Sequence, residues 1–130
     1  MIFGIGTDII EIARIDYAIN NEHFLERVYT LNERKYCESR GRQAAASYAA
    51  RFAGKEAFFK ALGTGIVCSM TCVEILNGEL NRPYLNLSGH AAELVAAMKI
   101  NGSYISLSHS KNYATAVCVL ENSDILPNNS

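Results

Sequence analysis

Residues 2 to 9 alternate strictly: Phe3, Ile5, Thr7 and Ile9 fall on one side, Gly4, Gly6 and Asp8 on the other. That is the period of a β-strand with one apolar face. Asp8 therefore leaves the strand on a glycine-lined face, where missing side-chain bulk lets another segment or a ligand approach the backbone. The same position also suits an N-cap for the next helix, in which Ile12, Ile15 and Ile19 recur at helical spacing. The pattern leaves both roles for Asp8 open.

Further along, Thr30 and Glu33 have capping-box spacing and predict a short helix from about Leu31. The run Ser39-Arg40-Gly41-Arg42 interrupts it. From about Gln43 to Leu62 the spacing predicts the longest helix, rich in alanine, with Tyr48, Phe52 and Phe59 as its large apolar residues and Gly63 as its stop. A strand is expected within Ile66 to Leu76, a hairpin turn at Asn77-Gly78 and a return strand in "PYLNL". Ser88 is placed to cap a helix through about Lys99, and "YISLSHS" and "ATAVCVL" form a second hairpin around "KNY". Residues 122–130 are polar, contain a proline and are expected to fray. Helices and antiparallel hairpins in this order imply an α+β fold, with strands packed on a long central helix, rather than a parallel α/β fold. No repeat or low-complexity linker interrupts it, so residues 1–121 are expected to form one domain.

Composition agrees with a globular chain. Its 130 residues are 49% hydrophobic and 19% charged, which argues against disorder. No apolar run approaches the roughly 20 residues of a membrane span, and "MIFGIGTDII" lacks the basic start of a signal peptide. A cytoplasmic location is the expectation. Cys37, Cys68, Cys72 and Cys118 match no zinc or redox spacing and are expected to be reduced, buried and structural. A net charge of −1 and the absence of tryptophan speak against a nucleic-acid-binding module. Yet eight of the twelve basic residues (Arg27, Arg34, Lys35, Arg40, Arg42, Arg51, Lys55, Lys60) lie between positions 27 and 60. A local positive surface facing an anion is implied.

The long helix carries the candidate chemistry. Glu56 and Lys60 are four residues apart, hence on one face, and they adjoin Phe52 and Phe59. A surface ion pair would satisfy that spacing too. What raises its interest is the company: Gly63-Thr64-Gly65 offers backbone N–H groups and a hydroxyl beside Lys60, and Asp8 offers a second carboxylate. Magnesium takes one or two protein carboxylates together with substrate phosphates. His109 ends a strand between Ser108 and Ser110, but a Ser-His hydrolase is disfavoured: there is no G-x-S-x-G elbow, and adjacent strand residues face opposite ways.

Three segments, "GIGTDIIEIARI", "RFAGKEAFFKALGTGI" and "SLSHSKNYATAVCV", resemble in order and spacing the signatures of bacterial holo-[acyl-carrier-protein] synthases, the short 4′-phosphopantetheinyl transferases. The resemblance spans residues 1 to 121. It implies a magnesium-dependent transferase of fatty acid biosynthesis. Such an enzyme moves phosphopantetheine from coenzyme A to a serine of acyl carrier protein and releases adenosine 3′,5′-bisphosphate. By matching positions, Asp8 and Glu56 are implied to hold the metal and Lys60 to contact the pyrophosphate. Arg42, Arg51, Gly63, Thr64, Gly65, Ser108 and His109 are implied to line the coenzyme A site, and Arg14 and Arg27 to face the acidic carrier. Glu56, or a metal-bound water beside it, is the candidate base for the serine proton. A homotrimer with sites at subunit boundaries is implied as well. Two departures stand out: His23 where a basic residue is common, and Gly54 where the family has alanine. A coenzyme A or nucleotide hydrolase using the same carboxylates is the rival enzyme.

Overall fold

The computed structural model describes residues 1–123, in the order β1 (Ile2–Glu11), α1 (Ile12–Ala18), α2 (Glu22–Val28), α3 (Leu31–Glu38), α4 (Ala44–Leu62), β2 (Val73–Asn77), β3 (Pro83–Leu87), α5 (Gly89–Ala97), β4 (Gly102–His109) and β5 (Tyr113–Glu121). Two antiparallel sheets result: β1-β5-β4, and the β2-β3 hairpin. The α+β expectation holds, with α4 at the centre.

Helix α4 owes its central position to small residues. Ala53, Ala57 and Ala61 are buried, as is Gly54 between them, and together they form a stripe along one face. The facing side of β1 is Gly4 and Gly6. A Cβ on Gly6 would overlap the carbonyl oxygen of Ala57, and one on Gly4 that of Ala61, so strand and helix touch backbone to backbone. On the other side of the stripe, a Cβ on Gly54 would lie 2.6 Å from Ile75 Cδ1 and 3.1 Å from both Ile105 Cδ1 and Leu107 Cδ2. The departure at this position thus has a packing reason: here α4 meets β2 and β4 too closely for alanine without a shift in those side chains.

Thr30 caps α3 and Glu33 returns the bond to the Thr30 N–H, as the capping box predicts. Gly63 ends α4 with φ 85°. Of the two roles left open for Asp8, the cap is excluded: Asp8 lies inside β1 opposite Ala116, and the cap residue of α1 is Glu11. Other expectations need correction. The α2 helix was not foreseen; Asn21 caps it by accepting from the His23 and Phe24 N–H groups. The β2-β3 connection runs from Gly78 to Arg82 and includes a 3-10 turn, a longer loop than Asn77-Gly78 implies. Strand β2 begins only at Val73. Ser88 precedes α5 but makes no side-chain cap, and α5 stops at Ala97. Of the expected tail, Asn122 and Ser123 are tied down by hydrogen bonds to Met1 and Asn101; the remainder lies outside the described residues. All four cysteines are free, but only Cys37 and Cys118 are fully buried.

The apolar face of β1 has an unexpected fate. Phe3, Ile5 and Ile9 are 41%, 57% and 63% exposed, because the core lies on the opposite, glycine-lined face. In β5, Ala114, Ala116, Cys118 and Leu120 are the buried residues, and their neighbours alternate outward. The outer face of the three-stranded sheet is left without cover.

Candidate active site

Successive α-helical residues turn by about 100°, so the charges of α4 cannot share one face. They divide between two flanks of the small-residue stripe. Glu56 and Lys60 lie on the flank toward β1, Arg51 and Lys55 on the flank toward α3 and β2, with Arg51 and Glu56 about 140° apart.

The first flank brings together residues distant in sequence. Lys60 Nζ lies 3.0 Å from Asp8 Oδ1 and 3.0 Å from the carbonyl oxygen of Thr7. Glycines make this possible, since the close approach at Gly6 carries the Lys60 turn of α4 against β1. Asp8 is mostly covered and Lys60 half exposed. Glu56 is half-buried; burial raises its carboxyl above the ordinary glutamate value, the negative charge of Asp8 raises it further, and Lys60 opposes both. The two carboxylates are thus close enough to repel through a partly desolvated medium. A groove of about 470 Å³ opens here, lined by Thr7, Asp8, Ile9, Lys60, Ser106 and Ser108 among others.

Two neighbouring carboxylates with oxygen donors only, mutually repelling and partly covered, with Asp8 on the wall of a groove, form a donor set suited to magnesium, which keeps several of its waters and completes its shell with substrate phosphate. The residues present therefore fit that ion. Among the described residues no group of three or more His, Cys, Asp and Glu converges.

The second flank holds a separate cavity of about 450 Å³, lined by Arg51, Ser108 and His109 together with Tyr36, Arg40 and Asn77. Arg51 is buried at 3% exposure. Its guanidinium carbon sits 4.4 Å from the Tyr36 ring centroid, NH2 donates to Asn77 Oδ1, and the buried Nε has no partner. His109 and Asp8 belong to the same face of the sheet but to its opposite edges: the register pairs Asp8 with Ala116 and Ala114 with His109. Helix α4 packs between them. Ser108 faces the other way and is common to both cavities.

The structure thus brings Asp8, Glu56 and Lys60 together and places Arg51 and His109 elsewhere. Arg42 is exposed just before α4 and lines neither cavity; Arg40 takes its place at the second. Gly63 and Gly65 adopt φ 85° and 71° in the turn that follows Lys60. The Gly63 N–H is already spent on the Phe59 carbonyl, so of this turn only Thr64 and Gly65 could turn an amide toward a ligand. Arg14 and Arg27 are exposed on α1 and α2; Arg27 borders a groove with Tyr17 and Phe24. The positive surface expected over residues 27–60 is smaller than its count, because Arg51 and Lys55 are buried. Sequence reasoning missed Tyr36 and Asn77, which orient Arg51, and the burial of Lys55; the 100° step between Lys55 and Glu56 was the available signal.

A sequence profile described as the 4′-phosphopantetheinyl transferase superfamily matches residues 4–118. The chain belongs to this superfamily. Among its relatives, the holo-[acyl-carrier-protein] synthase of Ruminiclostridium cellulolyticum is 48% identical over 128 residues, covering 95% of this chain and 96% of the relative. Two crystal structures share the transferase fold. The holo-[acyl-carrier-protein] synthase of Neisseria meningitidis superposes with a TM-score of 0.85 at 31% identity, covering 93% and 99% of the two chains. That of Helicobacter pylori, in complex with coenzyme A, gives 0.79 at 34% identity, covering 90% and 99%. Among the described residues of the transferase no helix is long and apolar enough to cross a membrane.

Proposed function

We propose that this transferase moves the 4′-phosphopantetheine group of coenzyme A onto a serine of apo acyl carrier protein, with magnesium, in fatty acid biosynthesis. The observation that carries the proposal is the meeting of Asp8 with Lys60 at one groove, with Glu56 near enough for its carboxyl to respond to the charges of both. The coenzyme A bound by the Helicobacter pylori relative and the shared name of the relatives supply the substrates.

Asp8 and Glu56 would hold the magnesium ion, which would supply positive charge against the pyrophosphate oxygens of coenzyme A. Lys60 turns its ammonium from Asp8 toward the same pyrophosphate, adding a second cation where negative charge concentrates. The carrier serine Oγ attacks the β-phosphorus of coenzyme A, the bond to adenosine 3′,5′-bisphosphate breaks, and the serine proton passes to Glu56. Positioning and electrostatics do most of the work, as in phosphoryl transfer generally. Arg51 and His109, beside the second cavity, would receive the phosphate groups of the nucleotide end, and Arg14 and Arg27 the acidic face of the carrier.

We further propose a homotrimer. Two features favour it: the uncovered apolar face formed by Phe3, Ile5 and Ile9, and the division of the candidate residues between two cavities. A second copy on that face would cover the apolar strand and bring its Arg51 and His109 toward the Asp8 groove of the first. The free cysteines accord with a reducing cytoplasm. The deciding experiment is mass spectrometry of apo carrier incubated with the protein, coenzyme A and Mg²⁺. Gain of one phosphopantetheine is expected; coenzyme A cleavage without carrier modification would point to the hydrolase instead.

A further inference from the structure

Lys55, the residue immediately before Glu56, takes no part in the chemistry assigned to the site. Its side chain and that of Glu33 are both fully buried, with Nζ 2.7 Å from Glu33 Oε1. The same ammonium donates to the carbonyl oxygen of Met70 at 2.9 Å. Glu33 is held from the other side: Oε1 accepts from the Thr30 N–H at 2.9 Å and Oε2 from the Ile75 N–H at 2.8 Å. Four segments, α3, α4, β2 and the turn at Met70, therefore meet on one ion pair.

Stability alone accounts poorly for such a pair. Burying two charges costs free energy that their attraction only partly returns, and an apolar pair of similar volume often serves as well. What the ion pair has and an apolar pair lacks is direction. Its bonds fix the rotation of α4 about its own axis, and in a helix the next side chain follows at a fixed angle of about 100°. With Lys55 anchored toward α3, Glu56 falls on the flank of α4 where its carboxyl responds to the charge of Asp8. The Met70 carbonyl, in turn, closes the segment that begins at Gly63-Thr64-Gly65 beside Lys60.

We infer that Lys55 is a positioning residue for the transfer site: anchored on Glu33 and the Met70 carbonyl, it sets the rotation of α4 that points Glu56 at Asp8 and fixes the far end of the loop after Gly65. The inference rests on the transfer proposal in one respect, that Glu56 is the carboxylate whose aim matters.

The test compares wild type, Lys55→Met, and Glu33→Gln/Lys55→Met, in which no charge is left unpaired if the single variant folds badly. Four quantities are measured: the thermal unfolding midpoint and, below the transition, kcat for transfer to apo carrier, KM for coenzyme A, and amide hydrogen exchange over residues 63–72 against that of β5. Both variants should lose about 10- to 100-fold in kcat, a larger change than the rise in KM for coenzyme A that loosening of Thr64 and Gly65 brings. Exchange should quicken in 63–72 and stay unchanged in β5. The double variant should regain thermal stability without regaining kcat. Recovery of kcat together with stability in the double variant, or unchanged exchange in 63–72, would overturn the inference. If wild type transfers nothing, the transfer proposal fails, and the exchange comparison alone decides whether Lys55 anchors the loop.

Discussion

The ammonium of Lys60 and the carboxylate of Asp8 stand 3.0 Å apart although 52 positions separate them in the chain. The contact exists because α4 and β1 approach through alanines and glycines, with no large side chain between. Lys60 is half exposed, so the pair adds little to stability. Its value lies in keeping a cation beside the groove.

Lys60→Ala should therefore weaken coenzyme A far more than it weakens the fold. Loss of one charge-assisted contact to a phosphate predicts a roughly 10- to 100-fold rise in the dissociation constant. Isothermal titration with coenzyme A reads this directly. An unchanged affinity would leave Lys60 as a surface partner of Asp8 and nothing more.

Glu74 offers a pH test of the support beneath the site. Its burial disfavours the charged form, but hydrogen bonds from Thr30, Asn86 and Asn32 outweigh this, aided by Lys55, and hold the carboxyl below its usual value. Folded Glu74 thus gives up its proton more readily than in the unfolded chain. The stability it contributes is present above the ordinary glutamate value and disappears as pH falls through the lower, folded one. Glu74→Gln should cost about 1 kcal/mol at pH 7 by urea unfolding, and the gap from wild type should narrow below about pH 4. A gap independent of pH would contradict this.

Arg14 is exposed on α1, the helix that leads directly out of the Asp8 strand. Arg14→Glu places a negative charge where an acidic carrier should dock, so KM for the carrier should rise about tenfold or more while KM for coenzyme A holds steady. Equal changes in both constants would remove the carrier-facing assignment.

Ile5 projects from the uncovered face of β1. Alone, Ile5→Glu should alter monomer stability by no more than about 0.5 kcal/mol. In a trimer built on that face it buries a charge and should dissociate the assembly, as sedimentation would reveal, with transfer activity falling in step. A wild-type monomer in sedimentation would refute the trimer.

Much of this was legible in the residues. The alternation of residues 2–9 correctly gave Asp8 a glycine-lined face, and the Thr30-Glu33 spacing gave a capping box with both bonds in place. Local patterns of this kind report local geometry. They could not say which face of β1 meets the core: Phe3, Ile5 and Ile9 form the apolar side, but close packing on α4 selected the glycines. Nor could a capping-box glutamate announce that its second duty is to hold Lys55, since that partner comes from another helix 22 positions away. The split between the Asp8 and Arg51 cavities was hidden for the same reason, as it depends on which flank of α4 each residue occupies once the helix is docked. The Asn21 cap of α2 was visible in principle, but the helix is only seven residues long and has no strong apolar period.

The most direct test is a double-mutant cycle in the transfer assay with Asp8→Asn, Glu56→Gln and the two combined, each shown to be folded. If both carboxylates hold one ion, each single change should lower kcat by about 100-fold or more, and the double should be little worse than the poorer single. Near-normal turnover in either single variant, or losses that simply multiply in the double, would contradict a shared site.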